Sequence, residues 1–298
     1  MSEKLAISLE ELNAADEAQF VAALAEIYEH SPWVAAAALV GRPFATLADL
    51  HEYMRDAIGA ADDEHRLRLL NAHPDLAGKA ARAGDLTQHS KAEQGSVGLD
   101  RLTDDEFDNF HRINESYRQK FGFPFIICVR RHSKDSVLRQ FEMRLNNTVE
   151  TEQEAALREI FRIAALRLDR QVIAADRLKV HGELSTHVLD TYHGRPAAGV
   201  ALELRELSAS GEDGVVIDGV TNDDGRTDRP LIEGRPLPIG RYELRFAVGG
   251  YFARSGVVLP DPPFLDIVPV QFLISEPESH YHVPLLTTPW SYSTYRGS

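Results

Sequence analysis

The chain has 298 residues, enough for two domains of ordinary size, each with its own buried core. Its formal net charge of -14 repels phosphate, which argues against nucleic acid and anionic membrane as partners and leaves any anionic substrate to local arginines. A single cysteine, Cys128, excludes an intramolecular disulfide; it sits in the apolar run Phe123 to Val129 and reads as a buried small side chain.

In chain order, Met1-Ser2-Glu3-Lys4 leads into an acidic amphipathic stretch without the basic n-region and apolar core of a secretory signal. The longest uninterrupted apolar run, Trp33 to Val40, is too short to span a bilayer and is closed by Gly41-Arg42-Pro43. Up to about Asp176, apolar residues recur at helical spacing, which predicts helices near 14–29, 47–58, 62–71, 104–120, 135–145 and 152–175. Ser8 with Glu11, Thr103 with Glu106 and Thr151 with Glu154 each match the S/T-x-x-E pattern, in which hydroxyl and carboxylate satisfy the orphan amides of a helix start. The expectation for residues 1–178 is an all-α helical bundle.

Three places in this half carry chemistry. His73 closes a helical pattern because Pro74 disfavours helical backbone before it; a histidine there either caps the helix dipole or acts on a ligand. Ser90 and Glu93 form either another capping box or a polar pair facing a site. Arg167 falls on the apolar stripe with Ile160 and Ala164, so its guanidinium faces the bundle and needs an anionic partner, an internal carboxylate or a ligand.

These segments together resemble 2-oxo-4-hydroxy-4-carboxy-5-ureidoimidazoline (OHCU) decarboxylases. The resemblance rests on His-Pro-Asp-Leu-Ala-Gly at 73–78, Ser-x-x-Glu-Gln at 90–94, Tyr-x-x-Lys-Phe-Gly-Phe-Pro-Phe-Ile at 117–126, and Arg167. It implies a cofactor-free decarboxylase in which His73 is the acid/base, Glu93 its partner and Arg167 the anion clamp. Pro74, Ser90, Gln94 and the segment Phe123, Pro124, Phe125, Ile126, Ile127 would line the substrate pocket. The sequence contains no thiamine, pyridoxal or metal motif, in keeping with an enzyme that uses no cofactor.

After Leu178 the period changes to two: Val200, Leu202 and Leu204 alternate with Ala201, Glu203 and Arg205, and Tyr242, Leu244, Phe246 and Val248 alternate with Glu243, Arg245 and Ala247. Turn clusters at His193 to Pro196, Asn222 to Gly225, Val248 to Gly250 and Pro260 to Pro263 separate the strands. The expectation for residues 183–298 is an all-β sandwich that follows the helical half almost directly. Glu183 to Asp190 reads as its first strand and carries His187; Arg226 follows the Asp224-Gly225 turn; His280 and His282 share one face of a later strand. Three imidazoles so placed could activate water or, alternatively, hold zinc.

This half resembles the 5-hydroxyisourate hydrolases of the transthyretin-like family, through the first-strand histidine, the arginine after Asp-Gly, His282-Val283-Pro284-Leu285-Leu286 and the closing Tyr295-Arg296-Gly297-Ser298. By that resemblance His187, Arg226, His282 and Ser298 are catalytic and Tyr295 binds substrate, with no metal. Which histidine is base and which is acid stays open. The resemblance further implies a homotetramer. Transthyretin-like relatives also include small-molecule carriers, but those lack the terminal tetrapeptide and the histidine set. The two resemblances name consecutive reactions, so the chain is expected to be bifunctional, its partners being its small-molecule substrates and copies of itself. Arg-Gly-Ser at the end is not a peroxisomal Ser-Lys-Leu address, and a cytoplasmic location is expected.

Overall fold

Side-chain caps decide where the helices begin. In a computed structural model of the chain, which describes residues 6–78, 87–209 and 214–297, the Ser8 hydroxyl accepts the Glu11 amide at 3.1 Å while the Glu11 carboxylate accepts the Ser8 amide at 2.8 Å, starting the helix Leu9–Ala14. Asp16 and Gln19 repeat the motif and start Glu17–Leu24. The single helix expected near 14–29 is therefore two short ones: Ala15 and Asp16 are extended, because the Asp16 side chain takes the amide hydrogen bond that a continuing helix would need. Helices follow at Pro32–Ala38, Leu47–Ala60, Asp63–Asn71, Gln88–Gly95, Asp104–Phe121 and Lys134–Arg144.

The longest helix is Val149–Gln171. Its cap is Thr148, which accepts from the Thr151 amide at 3.3 Å; Thr151 lies inside the first turn, so the expected Thr151–Glu154 box does not form. The helix also stops short of residue 175. Val172–Ile173 pairs in parallel with Ile7–Ser8, a two-stranded ladder (β1, Ile7–Ser8; β2, Val172–Ile173) that suits the β-branched pair better than a further helical turn.

The chain divides into two compact units. The first, Met1–Arg130 with Val137–Val180, packs Phe20, Met54, Phe110, Tyr117, Phe141 and Leu168 into one core. Phe125 stacks on Phe141 with centroids 3.8 Å apart, and Tyr117 meets both edge-on. Two buried charges fix the irregular segment that follows Phe121: Arg144 donates to the Ile126 carbonyl at 2.8 Å, and Glu159 accepts the Cys128 amide at 2.9 Å. Arg144 is itself held by the fully buried Glu152, which also accepts the Tyr117 hydroxyl. Cys128 is buried and forms no disulfide. Among the described residues, no helix is long and apolar enough to cross a membrane.

The second unit is Arg131–Ser136 together with His181–Ser298. It is a sandwich of β3 (Gly182–Asp190), β4 (Arg195–Pro196), β5 (Ala201–Leu207), β6 (Gly214–Val220), β7 (Ile232–Arg235), β8 (Gly240–Ala247), β9 (Ile267–Ile274), β10 (His280–Thr287) and β11 (Tyr292–Thr294). One sheet runs β11-β10-β3-β4, with β7 also on β3; the other runs β6-β5-β8-β9. Leu184, Val188, Leu202, Leu204, Tyr242, Leu244, Phe246 and Leu285 fill the space between them, the inward residues of the period-two pattern. Val248-Gly249-Gly250 departs from the expected turn and is the first turn of a helix, Val248–Arg254, whose Val248, Tyr251 and Phe252 are buried. Glycine is needed at Gly249 because a side chain would come within 2.9 Å of the Asp266 backbone.

Candidate active sites

In the helical unit, the segment after Asp63–Asn71 brings His73 to the wall of a cavity of about 370 Å³, its open mouth included. Helix Gln88–Gly95 contributes Ser90, Glu93 and Gln94, and helix Val149–Gln171 contributes Arg167. Pro74, Phe125, Ile126 and Ile127 complete the expected lining, whereas Phe123 and Pro124 are buried away from it, Phe123 against the ring of Tyr117. The Ser90–Glu93 pair is not a cap. Thr87 caps this helix, which frees the Ser90 hydroxyl and the Glu93 carboxylate for longer-range bonds.

Arg167 is buried and almost saturated with acceptors. Its Nε and Nη2 each donate to Glu93 at 2.9 Å, and Nη1 donates to Glu29 at 3.0 Å and to the Glu26 carbonyl at 3.2 Å. Glu93, expected as the partner of His73, thus forms a two-point ion pair with Arg167, since the planar guanidinium fork matches a carboxylate edge as an imidazole cannot. His73 instead hydrogen-bonds through Nδ1 to the Leu69 carbonyl at 3.0 Å. Burial is the largest influence on His73 and lowers its pKa; Glu29, ahead of Glu93, pulls the other way.

Glu29 is the residue sequence reasoning missed. It is buried between helices, and its carboxylate accepts from Thr87 at 2.6 Å, Ser90 at 3.2 Å and Arg167 at 3.0 Å. Burial alone would raise its pKa, but Arg167, Thr87 and His73 outweigh that and hold it below the usual carboxylate range. It lies in an irregular stretch, Ile27 to Ser31, where no periodicity marks it, and only its place before Ser31-Pro32 could have drawn notice.

In the sandwich, three candidate side chains converge on one face of the β10-β3 sheet. The strands are parallel, with His282 opposite Ser185 and Pro284 opposite His187, so His187 and His282 project on the same side. The Asn222–Arg226 turn brings Arg226 to His187 as an isolated bridge pair. Asn222 Oδ1 accepts the amides of Asp224 and Arg226, and Gly225 is left-handed with Val188 O only 2.3 Å from where a Cβ would stand. Burial, then Arg226, lower the pKa of His187. Burial lowers that of His282 too, aided by the positive charge of Arg226 and by His280 and His187.

Gly297 pairs with His282, its amide 2.9 Å from the His282 carbonyl, so close that a Cβ would lie 2.8 Å from the imidazole ring. Tyr295 is 59% exposed, and Ser298 lies outside the described residues. Ser185, unforeseen in the sequence, touches both histidines of β10: its hydroxyl is 3.0 Å from His280 Nε2 and 3.0 Å from His282 Nδ1. Among the described residues, no group of three or more His, Cys, Asp or Glu side chains is arranged to hold a metal ion.

The comparisons divide along the same line. A family profile described as OHCU decarboxylase matches residues 13–169, and one described as HIUase/Transthyretin family matches residues 184–297. The chain is 41% identical over 162 residues to 2-oxo-4-hydroxy-4-carboxy-5-ureidoimidazoline decarboxylase of Haloferax volcanii, covering 54% of this chain and 94% of that protein. It is 53% identical over 118 residues to 5-hydroxyisourate hydrolase of Deinococcus radiodurans, covering 40% of this chain and 98% of that one. A solved (S)-allantoin synthase superposes with a TM-score of 0.53 at 36% identity, over 98% of this chain and 100% of that one.

Proposed function

This chain belongs to the OHCU decarboxylase family through residues 13–169 and to the HIUase/transthyretin family through residues 184–297, and we propose that it converts 5-hydroxyisourate to S-allantoin in two steps. The sandwich unit hydrolyses the ring amide of 5-hydroxyisourate to OHCU, and the helical unit decarboxylates OHCU to one enantiomer of allantoin. The observation that carries this reading is the near end-to-end likeness, 98% against 100%, to a protein named (S)-allantoin synthase.

Amide hydrolysis needs water deprotonated, an oxyanion stabilised and a leaving nitrogen protonated. His187 and His282, both held toward their neutral forms, supply the two proton transfers, and Arg226 faces the developing negative charge. Tyr295 and Ser298 orient substrate from the terminal segment that Gly297 allows to lie on His282. In the helical unit, the carbon–carboxylate bond breaks, its electron pair enters the adjacent ring π-system, and His73 delivers a proton to that carbon from one side. Arg167 orients the substrate's charge, with Glu93 and Glu29 fixing the guanidinium, while Pro74, Ser90, Gln94 and the Phe125–Ile127 wall shape the pocket. Phe123 and Pro124 support that wall from behind. The domains are proposed as 1–178 and 183–298, with Arg131–Ser136 counted with the second.

Self-association, as a homotetramer, is supported by the apolar side chains exposed on edge strands β9 and β11, Leu273 at 68% and Tyr292 at 45%. A cytoplasmic location accords with a single cysteine that forms no disulfide.

Freshly generated 5-hydroxyisourate, followed by absorbance and circular dichroism, tests the whole reading. Wild-type protein accelerates ring opening and yields S-allantoin. His73→Ala keeps ring opening and gives racemic allantoin, whereas His187→Ala loses ring opening and keeps stereoselective decarboxylation of supplied OHCU. Ring opening no faster than in buffer would overturn the reading, and loss of both activities in both variants would overturn the division of labour.

A further inference from the structure

The outward face of β3 presents Glu183, Ser185 and His187 in succession, and the register sets His280 opposite Glu183 and His282 opposite Ser185. These side chains form a continuous row. Glu183 Oε1 is 3.3 Å from His280 Nε2, Ser185 Oγ is 3.0 Å from that same nitrogen, and Ser185 Oγ is 3.0 Å from His282 Nδ1. Proton counting orients it. A carboxylate offers only lone pairs, so the nitrogen 3.3 Å from it is the one that bears hydrogen, and His280 Nε2–H donates to Ser185 Oγ with the Glu183 carboxylate as its ion-pair partner. The one hydroxyl proton of Ser185 is then committed to His282 Nδ1. Neutral His282 accordingly carries its own proton on Nε2. His280 and Glu183 are both nearly half exposed, at 45% and 46% of their side chains, so the far end of the row exchanges protons with solvent.

From this geometry, and resting on the hydrolase reading of the sandwich, we propose that Ser185 and His280 are positioning residues of a proton relay, Glu183–His280–Ser185–His282, that makes His282 the proton donor and leaves His187 to activate water. The step balances. One water proton passes to His187 as the oxygen bonds to the ring carbonyl carbon; the C–N electron pair moves onto nitrogen, which takes the His282 Nε2 proton. The Ser185 proton moves to His282 Nδ1, the His280 Nε2 proton moves to Ser185, and the exposed His280 ring takes a proton from solvent on Nδ1. The row then runs back as the proton held by His187 passes through water to His282 Nε2 and His280 Nδ1 returns its proton to solvent, so no net proton is consumed. Without the relay, neutral His282 could donate only by becoming an imidazolate, which is far too basic to form near neutral pH. His187 Nε2, buried and without a hydrogen-bond partner among the described residues, fits the complementary role, since a polar atom so placed gains most when a ligand reaches it.

The test uses the full-length protein. Ser185→Ala should lower kcat for ring opening by about 10- to 100-fold with KM nearly unchanged, at or below the foot of the roughly 100- to 10,000-fold range of a general acid, since His282 itself remains. Ser185→Thr, which keeps the hydroxyl, should restore most of it. Ser185→Ala combined with His280→Gln should cost no more than Ser185→Ala alone, because both interrupt one path. A proton inventory in mixed H₂O and D₂O should be curved for wild type and linear for Ser185→Ala, a readout that a merely structural serine would not move. Nitrogen-15 spectra of the imidazoles should place the neutral His282 proton on Nε2 in wild type. A kcat for Ser185→Ala within twofold of wild type, additive losses in the double variant, or a His282 proton on Nδ1 would each overturn the relay. Wild-type protein that fails to open 5-hydroxyisourate at all would instead sink the hydrolase reading, and the nitrogen-15 result would still report on the row itself.

Discussion

A buried arginine shared between two acids is the residue-scale fact with the widest effect. The stripe position of Arg167 is enough to read from sequence that its charge faces inward, because helical period dictates the face. Which acid answers it is a matter of distant chain segments, and Glu29, 138 positions away, has no local signature. The same limit hides Ser185, whose partners lie 95 and 97 positions on. Glu29→Gln removes one charge-assisted bond to Arg167 and the strongest influence that raises the His73 pKa. The decarboxylation kcat/KM of this variant should fall by roughly 10- to 100-fold, corresponding to about 1.5–3 kcal/mol, with ring opening unchanged in the same assay. The sign of the pH effect follows. With the anion gone, the already depressed His73 pKa drops further, so the limb of the pH–rate profile that requires protonated His73 moves to lower pH. A profile that stays in place would remove Glu29 from this role.

At the scale of single elements, the readings succeeded where one periodic signal had no competitor. β8 alternates strictly, and its Tyr242, Leu244 and Phe246 are all buried, because a strand with one face on a core leaves little freedom of register. Where two signals compete, tertiary context decides. The Thr151–Glu154 pattern points to a cap at Thr151, whereas Thr148, three residues earlier, stands at the helix boundary and accepts the Thr151 amide. Thr148→Ala should therefore cost about 1 kcal/mol in chemical denaturation, and Thr151→Ala less than half of that. Equal losses would mean that the helix starts where the sequence pattern placed it. The expected turn at Val248 to Gly250 is a helix start for a different reason: Gly249 serves a close approach to Asp266 rather than a bend.

At the scale of the whole molecule, the change of hydrophobic period near Leu178 separates helical from β architecture without any structural knowledge. The assignment of Arg131–Ser136 to the second unit was not legible, since backbone bonds such as Ser133 N–H to the Ile239 carbonyl at 3.0 Å leave no mark on side-chain patterns. Net charge matters at this scale too. A protein of formal charge -14 is proposed to bind a carboxylate in a cavity where two acids already surround one guanidinium and His73 is held neutral. The incoming anion adds negative potential around the imidazole and favours its cation, so binding is coupled to protonation. Titrating an inert carboxylate analogue of OHCU in buffers of differing ionisation enthalpy should give heats that vary linearly with that enthalpy, with a slope near one proton taken up per site. Ligand recognition by Arg167 and loading of the catalytic acid then become a single event, and the cavity arms itself only when something is there to receive the proton.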